Sequence, residues 1–404
     1  PKPSDKYSCA PNGWMYTKEF QGIIPIEITK VFKQRKEWKG MMTNGKKNLE
    51  VIATAIDSTS GEVKEEFDLD FKALFDGSVQ SKLETMDKSV LEKYKKMCEH
   101  SIIICDTNQQ NRKILINALY GCLGTPYFRY YDLRNAAAIT TFGQMALQWT
   151  ERKVNEYMNK VCGTDDHKYV FYGDTDSLYM EMSPLIEKVG VERFGGDTQK
   201  LVDFIDRFCN ERLQTALNKS SEELAEYMNS YENHLAFDRE AIACPPLGSE
   251  GIGGFWKAKK RYALNVYDME GVRYHKPHLK IMGLETQSSS TPSELKTYLY
   301  NCIEIMLQEG EKKLQEHFKK LKADYDKLDY LKITPVKSAN DIAKWSDGNG
   351  FPISKCPNHV RGVLTYRRAT NGFEGIPIIN DGDKVMILPL REGNIFKDSC
   401  IAWP

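Results

Sequence analysis

The six residues Tyr172-Gly173-Asp174-Thr175-Asp176-Ser177 constrain this chain more than any others. They lie between two short apolar runs, so "YVFYGDTDSLYMEM" reads as two strands, Tyr169 to Tyr172 and Leu178 to Met182, joined by a tight turn. Two carboxylates at i and i+2 project to the same side of a strand turn. Their repulsion is costly unless a divalent cation neutralises it. Hard oxygen donors without histidine or thiolate suit magnesium rather than zinc. The competing reading of the same residues is an Asx-type turn that only closes a hairpin.

Two further constellations accompany the acidic turn. In "NRKILINALYG", Lys113, Asn117 and Tyr120 fall at i, i+4 and i+7 on one helix face, opposite Ile114, Leu115 and Ala118, and Gly121 is expected to end the helix. A lysine, an amide and an aromatic ring on one face suit a nucleoside triphosphate, although a lone K-x-x-x-N is more often an exposed lysine beside a capping asparagine. Arg35 and Lys39 form a second basic row in a stretch, Ile28 to Lys47, that holds seven basic residues and one acid. Such a face by itself is usually only solvated. The other constellation is Lys257, Lys259, Lys260, Arg261 and Tyr262, preceded by Gly251, Gly253, Gly254, Phe255 and Trp256. Basic residues interleaved with aromatics match a sugar-phosphate backbone and its end base; the plain alternative is an edge strand protected by lysines.

Local readings place these motifs. Residues 1–24 read as loop plus a short hairpin, and an amphipathic helix follows Pro25. The polar segment Thr43 to Asn108 holds a helix near Lys88 to Lys96. Asp132 is the expected N-cap of a helix running to about Lys160, its stripe Ile139, Phe142, Ala146 and Trp149 facing a core. In "TQSSSTPSEL", Thr291, Pro292 and Glu294 predict a capping box and a domain boundary. A charged helical region follows to about Tyr330.

Length and composition bound the class. With 404 residues, two or three packed units are expected. A hydrophobic fraction of 41% beside 28% charged residues excludes a disordered or collagen-like chain. Lysine plus arginine and aspartate plus glutamate both total 56, so any attraction for a polyanion is local, not global. No apolar run approaches a membrane span and no secretory signal pattern opens the chain, which reads as cytoplasmic. The ten scattered cysteines, with no CxxC pair, read as reduced thiols. Cys356 with His359, and His275 with His278, have ligand-like spacing but two donors each where zinc wants four, and read as surface loop.

"EITKVFKQRKEWKG", "KILINALYG", "YGDTDS" and "GFWKAKKRYALNVYDMEG", in that order and spacing, resemble the family B DNA polymerases, within them the replicative polymerases of T-even-like myophages. The similarity continues through "HLKIMGLETQSSSTP", "CPNHVRGVLTYRRA" and "PLREGN". The resemblance implies an α+β fold: a right-hand polymerase with an antiparallel-sheet palm, helical fingers and a helix-rich thumb. It implies a palm piece at 1–21, fingers at 22–125, palm at 126–284 with the catalytic hairpin at 169–182, and a truncated thumb at 285–404.

The implied activity is template-directed addition of deoxynucleotides to a primer 3′ end by two-metal phosphoryl transfer in phage DNA replication, in the cytoplasm of an infected bacterium. Asp174 and Asp176 would be the catalytic carboxylates and ligands of two Mg2+ ions, Asp176 the main one. Arg35, Lys39, Lys113 and Asn117 would hold the incoming triphosphate, with Tyr120 beside the nascent base pair. Lys259, Lys260, Arg261 and Tyr262 would grip the primer-terminal duplex. Implied partners are primer-template DNA, dNTPs, and a sliding clamp with other replisome proteins; no membrane is involved.

Two departures stand out: Ala118 occupies the place of a usual serine, and the family's D-x-x-S-L-Y-P aspartate strand is absent, as is the exonuclease. The chain is therefore expected to be a fragment, inactive alone because two-metal transfer needs carboxylates on both sides of the ion pair. The alternative is a split subunit that binds dNTP and DNA and needs a partner chain. A soluble NTPase is disfavoured, since no G-x-x-x-x-G-K-[ST] is present.

Overall fold

The computed structural model describes residues 6–58, 88–325 and 327–404. Chain contacts divide it into two units, Pro1–Ala243 with Val266–His278, and Cys244–Asn265 with Leu279–Pro404. The architecture mixes helices with small antiparallel sheets. The central part of the polar Thr43 to Asn108 segment lies outside the described residues.

The first unit opens with the expected hairpin, β1 (Tyr7–Cys9) and β2 (Met15–Thr17), paired Ser8 to Tyr16. Then come two helices of 36 residues each, α1 (Ile23–Ser58) and α2 (Lys88–Leu123), each about 54 Å long at 1.5 Å per residue. Pro25 stands in the first turn of α1, where its missing N–H costs nothing. The α2 helix is far longer than the segment expected near Lys88, because a buried seam of Leu91, Tyr94, Cys98, Ser101 and Cys105 recurs at alternating three- and four-residue steps. Small and polar residues in that seam hide it from a hydrophobicity count. Ile52 near the end of α1 packs with Leu91, Tyr94 and Cys98 near the start of α2. At the other end, Arg112 donates to Gln34 Oε1 at 3.3 Å and lies 5.6 Å from the Trp38 ring centroid. The pair is therefore an antiparallel helical hairpin.

One expectation for α2 fails. The helix passes through Gly121 and stops at Leu123, since Gly121 keeps a helical conformation and the closing turn forms at Gly124 and Thr125, both of which bond back toward it. Ile114 and Leu115 are exposed at 63% and 56%, so that apolar face covers no core among the described residues.

Asp132 caps α3 (Leu133–Cys162) as expected, accepting from the Arg134 backbone N–H, and Gly163 closes the helix in the left-handed region at φ 76°. Ala146 is buried with Leu224 and Met228, and Phe142 and Trp149 pack against them. Ile139, expected in that stripe, is exposed instead. Next come β3 (Val170–Asp174) and β4 (Ser177–Met180), then α4 (Ser183–Val189), α5 (Thr198–Phe208) and α6 (Gln214–Tyr227). Strand β5 (Ala241–Ala243) pairs with residues 266–269 of the strand introduced next.

In the second unit, β6 (Gly254–Ala258) pairs with the N-terminal part of β7 (Arg261–Met269), Gly254 opposite Leu264 and Ala258 opposite Arg261. Strand β8 (Val272–Met282) also pairs with β7, so β7 is interior and the edge-strand reading does not hold for it. Helices α7 (Ser293–Gln308) and α8 (Glu311–Tyr325) follow. The capping box is not formed: Pro292 occupies the cap position with no side-chain bond, because Ser288 to Thr291 close a turn of their own. A second core packs α9 (Asn358–Ala369) on a sheet of β9 (Val336–Ser338), β10 (Lys384–Pro389) and β11 (Cys400–Trp403). Cys356 is buried in this core rather than on a surface loop, and His275 and His278 lie on β8.

Candidate active site

The acidic residues stand at the tip of the β3–β4 hairpin. Asp174 pairs with Ser177, Gly173 with Leu178 and Tyr172 with Tyr179, leaving Thr175 and Asp176 as the two turn residues. Thr175 is at φ 58°, a left-handed conformation that costs a β-branched residue energy and that functional turns hold under tertiary constraint. The Asp176 N–H reaches the Asp174 carbonyl at 2.6 Å. The Thr175 hydroxyl donates to Asp174 Oδ1 at 3.0 Å, and the Ser177 hydroxyl to the Asp174 carbonyl at 3.2 Å. Backbone and hydroxyls thus close the turn, and the Asp176 carboxylate is exposed. Gly173 has a packing reason: an added Cβ would meet Leu178 Cδ2 at 3.3 Å and Leu147 Cδ2, on α3, at 3.5 Å.

The helical hairpin brings one member of each basic row to the same level. The Arg112 contacts to Gln34 and Trp38 set an antiparallel register in which Arg35 of α1 is level with Lys113 of α2, while Lys39 and Asn117 lie away from that level in opposite directions. Lys113, Asn117 and Tyr120 are exposed. Arg35 is half-buried, and its Nε lies inside the protein without a hydrogen-bond partner. Lys39 pairs with Glu270 at 2.6 Å, an acid at the β7–β8 turn that the sequence offered no reason to choose.

The basic hairpin belongs to the second unit. Lys259 and Lys260 are the two turn residues between Ala258 and Arg261, both exposed, with Lys260 at φ 60°. Arg261 Nε donates to the Gly283 carbonyl at 3.0 Å, and its Nη2 pairs with Glu285. The guanidinium, with Lys257 at 3.5 Å, holds the Glu285 carboxyl down at about 2. Tyr262 is buried and stacks on Trp256, with ring centroids 5.6 Å apart. Gly283 is required there: an added Cβ would stand 2.2 Å from the Lys260 carbonyl. Glu285 is 24 residues from its partner, and no local pattern links the two.

The alternatives to acid chemistry are weak. All ten cysteines are free, and burial pushes Cys98 and Cys209 up to about 11 and Cys244 up to about 12, so none of these three is a thiolate at neutral pH. Among the described residues no group of three or more His, Cys, Asp or Glu side chains is arranged to hold a metal ion. Asp174 and Asp176 offer two hard oxygen donors, which fits a magnesium ion that completes its shell with water and substrate phosphates. No described helix is long and apolar enough to cross a membrane.

Residues 85–334 match the family model described as DNA polymerase family B. The DNA-directed DNA polymerase of Enterobacteria phage T4 is 53% identical over 404 residues, 100% of this chain and 45% of that protein. That of Escherichia phage RB69 is 53% identical over 403 residues, 100% of this chain and 44% of its own length. DNA polymerase II of Escherichia coli (strain K12) is 29% identical over 177 residues, 44% of this chain and 19% of that enzyme. The chain thus spans less than half the length of these curated relatives.

Proposed function

The chain belongs to DNA polymerase family B, and from that premise we propose that it carries the nucleotidyl-transfer part of a replicative phage polymerase. In this reading the whole polymerase, not this chain alone, adds deoxynucleotides to a primer 3′ end under template direction, in the cytoplasm of an infected bacterium. The observation that carries it is the β3–β4 turn, which holds Asp174 and Asp176 two residues apart on a strained backbone. Residues 1–21 and 126–284 would form the palm, the α1–α2 hairpin within 22–125 the fingers, and 285–404 would belong to the thumb.

Asp174 and Asp176 would hold two Mg2+ ions, which would stabilise the negative charge that develops in the transfer. The protein's own work is positioning. Arg35, Lys113 and Asn117 face the phosphates of the incoming dNTP, and Lys39 joins them on release from Glu270. Tyr120 offers its ring to the new base pair. Lys259 and Lys260 bind the backbone of the primer-template duplex from an exposed turn. Arg261 and Tyr262 support that turn from behind through Glu285 and Trp256. A sliding clamp and other replisome proteins would be partners of the whole polymerase.

A second reading is a split subunit that needs a partner chain; it shares with the first that, among the described residues, no third carboxylate joins the pair. Both readings are tested on the isolated 404-residue chain. It should bind primer-template DNA weakly, with affinity falling steeply in salt, and incorporate nothing with magnesium. Incorporation should return when a chain bearing the D-x-x-S-L-Y-P strand is added. Robust extension by the chain alone would refute this assignment of carboxylates.

A further inference from the structure

The root of the acidic hairpin is held by two asparagines of α3. Asn155 Oδ1 accepts the Val170 N–H at 3.0 Å, at the first residue of β3. One turn on, Asn159 uses its whole amide: Nδ2 donates to the carbonyls of His167 and Asn155, each at 2.9 Å, while Oδ1 accepts the His167 N–H at 2.9 Å and the Thr164 hydroxyl at 2.7 Å. Thr164 in turn shares a 2.9 Å bond with the phenol of Tyr169, which is fully buried. Leu147, two turns earlier on α3, lies against Gly173. The helix thus runs beside β3 from its root to the residue before Asp174.

We propose that Asn155 and Asn159 are positioning residues, which fix the register of β3 and thereby where Asp174 and Asp176 stand. This rests on the reading of those aspartates as the catalytic pair. The reason for a clamp lies in the ladder itself. Among the described residues β3 pairs with β4 alone, and the ladder slips between Val170 and Tyr172. A strand that slips by one residue turns every side chain to the opposite face. In a hairpin of five and four residues, such a slip would carry both carboxylates off the face where they meet. Asn155 pins Val170 at the slip, and Asn159 pins His167 just before it. Buried Val154 and Met158 seat the same stretch of helix in the core, so the amides cannot swing away.

The test uses the complete polymerase. Asn155→Leu keeps the volume and removes the acceptor; Asn155→Asp keeps an acceptor oxygen. Asn155→Leu should lower the single-turnover incorporation rate at saturating dNTP by about tenfold or more, since misplacement by an ångström is costly to catalysis. It should raise the Mg2+ concentration for half-maximal rate, leave primer-template affinity unchanged, and speed hydrogen exchange at the Val170 amide. Asn155→Asp should recover most of the rate and the protection. Thr164→Val, which loosens Asn159 from the surface side, should shift rate and exchange in the same direction but less, and serves if Asn155→Leu fails to fold. A rate loss with Val170 still protected, a deprotected Val170 with normal rate, or no recovery in Asn155→Asp would each overturn the clamp. Unaltered incorporation by Asp176→Ala would instead refute the catalytic reading beneath it.

Discussion

Two β-hairpins invite comparison, the acidic one at Thr175-Asp176 and the basic one at Lys259-Lys260. Both turn on two residues, and both force a residue with a side chain into the left-handed region, Thr175 at φ 58° and Lys260 at φ 60°. They differ in what lies behind the tip. At the acidic turn the hydroxyls of Thr175 and Ser177 fold inward onto Asp174, and Asp176 faces outward. At the basic turn the flanking charge is already matched, Arg261 by Glu285, and Tyr262 is buried on Trp256. Two two-residue turns, strained at the first residue in one and at the second in the other, therefore serve two ends. One concentrates like charge at its tip; the other spends its flanking residues on stiffness and exposes two lysines.

The largest expected effect separates chemistry from binding. In the complete polymerase Asp176→Ala should lower single-turnover incorporation by more than about 100-fold, as loss of a group acting on the transition state does. Primer-template affinity in a gel shift should change little. Parallel loss of both would mean that the acidic turn is structural.

Removing the basic tip should do the reverse at smaller amplitude. Lys259→Ala with Lys260→Ala should weaken primer-template binding about tenfold near physiological salt and reduce the slope of log K against log salt by about two, one per lost phosphate contact. The incorporation rate from preformed complexes should hold. An unchanged slope would remove these lysines from the DNA interface.

The smallest effect concerns Glu285. Its carboxyl titrates at about 2 in the folded chain, below the roughly 4.3 of an unfolded glutamate. The pair with Arg261 therefore adds stability above about pH 4.3 that disappears as pH falls through 2. Glu285→Gln should melt slightly lower than the parent at pH 7, with the gap closing as the pH approaches 3. Because exposed pairs are weak, it should bind primer-template only about twofold more tightly. A gap independent of pH would assign the effect to packing, not charge.

The helical hairpin shows where local reading fails. Asp132 and Gly163 bound α3 by caps that obey short-range rules, and both ends could be read within a few residues. The α2 helix could not, because its seam includes Cys98, Ser101, Cys105 and Gln109, residues that look polar or neutral until a partner helix covers them. The Thr291 capping box had the right letters, but Pro292 and the Ser288 turn took the backbone elsewhere.

By itself the sequence determined the family, the acidic turn with its flanking strands, and the basic–aromatic run, because each is written in neighbouring residues whose geometry follows from a turn or a helical step. Only the tertiary structure decided which of those charges are already answered. Lys39 meets Glu270, Arg261 meets Glu285, and Val170 meets Asn155 across chain separations that no periodicity encodes. Ion pairs and amide clamps act within a few ångströms of space, and which residues share that space is settled by the packing of helices and strands, not by their order along the chain.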